Sequence, residues 1–249
     1  MNKVVEKIVK GIKDYFTNAR VENAVIGMAG GVDSAVVCIL CAKALGPGQI
    51  HAFHLPYFDN PNEWKHAQDV AQVAGVKITR HSIKNAVDVL CQDYGITDKV
   101  RQGNAMARLR MIFFYEQARK LNALVVGTGN KSELLTGYFT KYGDGGVDLL
   151  PIAALYKKQV RQLAHELGVP QEVIEKKPSA GLWEGQTDEG ELGVSYEELD
   201  KILAGLVDEK KPAKAVAEET GVALKQVLRL KNLVEKNAHK TRMPPVISI

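Results

Sequence analysis

The stretch Gly27-Met28-Ala29-Gly30-Gly31-Val32-Asp33-Ser34 constrains this chain most, because it joins an apolar run at 24–28 to a helix-like segment at 35–45. A strand that ends in glycines and opens a helix is built to hold an anion. Glycines admit positive φ and let a ligand approach the backbone, and the helix N-terminus adds partial positive charge. Ser34 contributes a hydroxyl and Asp33 a carboxylate. A carboxylate beside a phosphate repels it unless a divalent cation lies between them, so Asp33 points to Mg2+. The plainer alternative is a glycine turn in an ordinary α/β domain. The stretch has neither the Lys-Ser/Thr ending of a P-loop nor the spacing of the dinucleotide fingerprint.

The flanking sequence alternates strand-like and helix-like segments. Val4, Ile8, Ile12 and Phe16 recur every fourth residue and predict an amphipathic helix within residues 1–20. Strands are expected at 24–28, 50–55, 76–83 and 123–127, with helices at 35–45, 62–74, 85–94, 98–121 and 155–168. That alternation implies a doubly wound parallel sheet with helices on both faces, whose ligands bind outside the carboxyl ends of the strands. The turns at 29–34 and 128–130 then share one rim. Met111-Ile112-Phe113-Phe114-Tyr115 makes its helix apolar nearly all round, which fits either core burial or a subunit interface. Residues 134–148 contain a glycine-dense loop too long for a mere connection. Residues 178–194 are polar, glycine-containing and carry Trp183, as a lid would, and helices at 195–206, 214–220 and 224–237 follow. The expected organisation is one domain over 1–249: a first helix (1–20), an α/β core (21–177), the lid (178–194), and a helical C-terminal part with its tail (195–249).

With 33 basic against 29 acidic residues the net charge is +4, too weak to argue for nucleic acid and ample for a polyanionic small ligand. Cys38 and Cys41 lie one helical turn apart on an apolar face and read as reduced core thiols, since no second pair or histidine cluster completes a zinc site. No signal-peptide core or membrane-length apolar run is visible, so a cytoplasmic protein without membrane partners is expected.

The glycine stretch resembles the PP-loop, SGGxDS, of the ATP pyrophosphatases, with Ala29 where that group usually has serine. Within the group, the chain resembles the ammonia-dependent NAD synthetases, of the adenine nucleotide alpha-hydrolase-like fold, nearly end to end. Four blocks carry the likeness: residues 27–34, 103–111, 127–150 and 178–195, supported by His239-Lys240. The resemblance implies that the nicotinate carboxylate of deamido-NAD attacks the α-phosphorus of ATP, and that ammonia then displaces AMP. It assigns Mg2+ to Asp33 and Glu133, and ATP to Gly27, Met28, Ala29, Gly30, Gly31, Val32, Asp33, Ser34, Thr128, Lys157 and Ser179. Of these, Asp33, Ser34 and Lys157 are the implied catalytic set. It assigns deamido-NAD to Arg108, Lys141, Asp148, His239 and Lys240, with the site completed across a homodimer. The tail reads His-Lys-Thr-Arg-Met-Pro-Pro where HKRxxPP is commoner, which moves the arginine to Arg242. Only about twenty residues precede the first strand, so no glutaminase fold is expected there and free ammonia is the expected donor. Another PP-loop amidating or tRNA-modifying ligase is the alternative enzyme. An adenine-nucleotide sensor would use the glycines but leaves Asp33 and Glu133 together unexplained.

Overall fold

The computed structural model describes residues 3–247; residues 1, 2, 248 and 249, at the far ends of the expected first helix and tail, lie outside them. In chain order the elements are α1 (Lys3–Ala19), β1 (Asn23–Gly27), α2 (Val32–Leu45), β2 (Ile50–His54), α3 (Pro61–Ala74), β3 (Ile78–Arg80), α4 (Lys84–Asp93), α5 (Lys99–Leu121) and β4 (Ala123–Val126). There follow α6 (Lys131–Thr136), α7 (Lys157–Glu166), α8 (Gln171–Glu175), α9 (Asp188–Leu192), α10 (Tyr196–Leu203), α11 (Ala213–Thr220) and α12 (Leu224–Asn237).

The described strands form one parallel sheet in the order β3-β2-β1-β4. Alternation of side chains through this sheet separates two apolar layers, as strand geometry requires. Ala24 and Ile26 face a core shared with α1, α2, α3 and α7, while Val25 and Val125 face one shared with α4 and α5. Helices therefore cover both faces. A third cluster, built from α10, α11 and α12 around Leu199, Leu203, Val216 and Leu230, forms the helical C-terminal part.

Because β2 and β3 extend the sheet on one side of β1 and β4 on the other, the strand order reverses between β1 and β4. A crevice opens at such a switch point, outside the strand ends. The two turns expected on one rim do line a common cavity there.

Several local expectations change. On α1 the inward residues are Val5, Ile12 and Phe16, whereas Val4 is 41% exposed: a strict four-residue repeat drifts around a helix of 3.6 residues per turn. The third strand is only Ile78–Arg80, an edge strand pairing with three residues of β2. Of the two readings of the apolar helix, core burial accounts for one side of α5: Met111 and Phe114 are buried, whereas Ile112 is 66% exposed. α7 begins at Lys157, two residues later than the apolar pattern suggests, and α10 stops at Leu203 and widens into a π-helical turn over Ala204–Asp208.

Candidate active site

The loop between β1 and α2 takes its shape from one glycine. Gly30 has φ +71°, and a Cβ there would lie 2.5 Å from the carbonyl oxygen of Glu63, so both conformation and space require glycine. No side chain caps α2 after Gly31, which leaves its first-turn amides free for an anion. Ser34 donates its hydroxyl to the Gly31 carbonyl at 2.9 Å and so braces the loop. Ala29 is exposed in the cavity wall.

Asp33, in the first turn of α2, meets two elements from far along the chain. Its Oδ1 accepts from Asn130 Nδ2 at 2.9 Å, and its Oδ2 pairs with Lys157 Nζ. Asn130 is itself the cap of α6: its Oδ1 accepts from the Glu133 amide at 3.0 Å, and Glu133 Oε2 accepts from the Asn130 amide at 3.2 Å. That reciprocal cap turns Glu133 toward the same ammonium, with Oε1 3.3 Å from Lys157 Nζ. The Lys157 side chain is 3% exposed, so the ion pairs are desolvated.

Charge at this point is unbalanced. Asp188, at the start of α9, is buried nearby with Oδ2 accepting from Tyr196 Oη at 3.0 Å, and its Oδ1 has no protein partner. Three carboxylates thus face one ammonium. Burial raises the pKa of Glu133, opposed by Lys157 and reinforced by Asp33. Burial also pulls on Lys157, but Asp33 and Glu133 outweigh it and hold the lysine above its ordinary value, fully charged. Among the described residues no group of three or more acidic, histidine or cysteine side chains forms a metal cage. Two carboxylates beside an anion cradle are nevertheless what Mg2+ uses, because it takes one or two carboxylates and completes its shell with phosphate oxygens and water.

The cavity, of about 530 Å³, runs from this cluster along the ends of β1 and β2 to the segment 177–183. Thr128 and Ser179 line it, as do Arg110, His54, Trp183 and Lys240. Arg110 is held by its Nε donating to the Leu55 carbonyl at 3.0 Å. His54 Nδ1 lies 2.7 Å from the Met28 carbonyl, so that nitrogen carries the proton, and burial holds the ring below its ordinary pKa and neutral.

The expected dinucleotide residues divide. Lys240 lines the cavity, donating to the carbonyls of Gly137 at 2.7 Å and Phe139 at 3.0 Å, with its pKa lowered by burial against the pull of Asp144. Arg108, Lys141 and His239 lie outside it in a chain: Arg108 Nε donates to the Lys141 carbonyl and Lys141 Nζ to the His239 carbonyl, each at 3.3 Å. Asp148 stands apart, accepting from Tyr115 Oη at 3.1 Å and from the Val125 amide at 2.8 Å. Asn130, Asp188, His54 and Arg110 were not assigned roles by sequence. Only Asn130 left a local signal, the Asn-x-x-Glu spacing of a capping box.

The family model for NAD synthase matches residues 4–244. This chain belongs to the NAD synthase family. It is 44% identical over 244 residues to the NH(3)-dependent NAD(+) synthetase of Pyrococcus horikoshii, covering 98% of this chain and 93% of that one. Among solved structures it is similar to an NMN synthetase from Francisella tularensis, with a TM-score of 0.87, 35% identity, and coverage of 99% of this chain and 98% of that one. It is also similar to the NH3-dependent NAD synthetase of Campylobacter jejuni in complex with nitrate, with a TM-score of 0.83, 30% identity and full coverage of both chains. As a member of the NAD synthase family it has the adenine nucleotide alpha-hydrolase-like fold, and the expected doubly wound parallel sheet is the one observed.

Proposed function

We propose that this enzyme amidates deamido-NAD with ammonia, consuming ATP and releasing AMP and pyrophosphate. The observation that carries the reading is the convergence of Asp33, Glu133 and Lys157 beside the uncapped amides of α2. A carboxylate oxygen of the substrate forms a bond to the α-phosphorus as the bond to pyrophosphate breaks. Ammonia then adds to the acyl carbon and gives up one proton to solvent, and AMP leaves with the bridging oxygen.

Both partners in the first step are anions, so the site must neutralise charge. Asp33 and Glu133 would hold Mg2+, which when bound screens that repulsion and stabilises the leaving pyrophosphate. Lys157 keeps its proton and meets the phosphates as a cation. Amides of residues 30–34 bind phosphate oxygens, with the hydroxyls of Ser34, Thr128 and Ser179 beside them. Lys240 meets the dinucleotide from within the cavity, while Arg108, Lys141, Asp148 and His239 would complete the site of a second copy in a homodimer. Exposed Ile112 and Tyr115 lie on the same face of α5 as Arg108, which supports that arrangement. We read the enzyme as cytoplasmic, in keeping with buried free Cys38 and Cys41; no helix among the described residues is long and apolar enough to cross a membrane.

A second reading rests on the likeness to the Francisella protein: the carboxylate amidated would then be that of nicotinate mononucleotide. Pyrophosphate release and amidated product are measured with ATP, Mg2+ and ammonium, offering each dinucleotide or mononucleotide substrate in turn. The first reading expects the larger kcat/KM with deamido-NAD. A preference for the mononucleotide establishes the second, and release with neither overturns both.

A further inference from the structure

Glu133 and Lys157 sit on different helices, and the cavity does not fix the distance between those helices. Behind it, the backbone bond from the Lys131 amide to the Leu155 carbonyl at 2.8 Å ties the two segments, and a buried polar network holds the helix starts themselves. Ser132, fully buried, donates its hydroxyl to Asp200 Oδ1 at 2.5 Å and accepts from the Lys157 amide at 3.1 Å. Asp200 Oδ2 accepts from the Lys158 amide at 2.8 Å. Asp200 comes from α10, is 7% exposed and does not line the cavity.

The first two amides of α7 are donors with no partner inside their own helix, and buried donors of that kind must be satisfied. Here one goes to Ser132 and the other to Asp200. Since Ser132 immediately precedes Glu133, the same two side chains clamp the start of α7 to the first turn of α6. A carboxylate at this end also complements the helix dipole. Burial raises the Asp200 pKa, and the hydrogen bonds from Ser132 and the Lys158 amide work against that rise.

We propose that Asp200 is a positioning residue for the reaction: through Ser132 and the N-terminus of α7 it sets where Lys157 and Glu133 stand relative to each other. It thereby makes the C-terminal helical part a component of the catalytic machinery. This rests on the amidation reading above. Misplacing a reacting constellation by about 1 Å costs on the order of 100-fold in rate, whereas binding of substrate elsewhere need not change.

The test compares the wild-type protein with Asp200→Asn, Ser132→Ala, the double variant, and Val216→Ala as a control that loosens the same helical cluster without touching the network. In Asp200→Asn the single oxygen accepts from the Lys158 amide and the side-chain NH2 can only donate to Ser132 Oγ, so the Ser132 hydroxyl proton loses its acceptor and the serine must reorient. For Asp200→Asn we expect kcat to fall at least about 10-fold with KM for the carboxylate substrate within twofold. The double variant should be no worse than the more impaired single, because both act through one network. Val216→Ala should lower the melting temperature and keep the wild-type kcat. If Asp200→Asn does not fold, Ser132→Ala decides by the same readouts. A wild-type kcat in the folded network variants, or a loss in Val216→Ala matching theirs at equal thermal loss, overturns the proposal. Absent pyrophosphate release by the wild type instead overturns the reading on which it rests.

Discussion

At the scale of single residues, Lys157 is the group on which the site's charge depends. It is the cation between Asp33 and Glu133, with buried Asp188 close by. Removing it leaves buried carboxylates uncompensated, so Lys157→Met should lower unfolding free energy by about 3–5 kcal/mol as well as abolishing activity. Asp33→Asn should behave differently. An asparagine oxygen can still accept from Asn130, and the change removes one negative charge from a cluster that has too many. Stability by urea unfolding should therefore hold within about 1 kcal/mol while turnover falls at least about 100-fold. A parallel loss of stability and turnover would make Asp33 structural. Ala29, exposed on the cavity wall, has room for a hydroxyl, and Ala29→Ser should raise the rate of AMP transfer or lower KM for ATP. Equal rates and KM would show that the amides already saturate that phosphate oxygen.

At the scale of elements, α2 is the axis of the larger core, buried from Ser34 through Ala42. Its thiols follow from that burial: Cys38 is pushed up to about 12, and Cys41 is raised still further by burial and by Cys38. An unfolded thiol ionises near 9, so above that pH the folded chain holds protons that the unfolded chain has lost. Stability should then fall as pH rises above about 9, the ordinary thiol value, towards 12. Replacing both cysteines with alanine should flatten that slope in pH-dependent urea melts, and an unchanged slope would assign alkaline unfolding to other groups. The elements were legible in sequence where period and caps agree. Residues 35–45, 62–74 and 224–237 have helical counterparts within a few residues, and the glycine stretch sits at the strand–helix junction as expected. α6 was hidden because six residues carry too little periodicity, although its capping box is present. The turn holding Asn130 was legible on the rim with 29–34, but its contact with Asp33, 97 residues away, was not, nor was that of Asp200 with Ser132, 68 residues away, because nothing local encodes either meeting.

At the scale of the whole molecule, the exposed face of α5 is the feature a single copy leaves unexplained. Arg108, Ile112 and Tyr115 are spaced by four and three residues, which places them on one side of the helix. Tyr115 reaches Asp148, and Tyr15 of α1 donates to the Asp148 carbonyl at 2.8 Å, so an apolar strip is bordered by residues expected at the dinucleotide. A second copy seated there would cover Ile112 and bring one subunit's Arg108 toward the other's cavity. The chain of 27.3 kDa should accordingly sediment at twice that mass. Ile112→Glu buries a charge in such an interface at a cost of several kcal/mol, enough to shift the protein to monomer at micromolar concentration. Because the cavity proposed for ATP is lined by residues of one chain, nucleotide binding by calorimetry should survive in that monomer. KM for the dinucleotide should rise at least about 10-fold with the loss of the partner's contacts. A wild-type monomer with full activity would dismiss the shared site, and a dimeric Ile112→Glu would move the interface to another face.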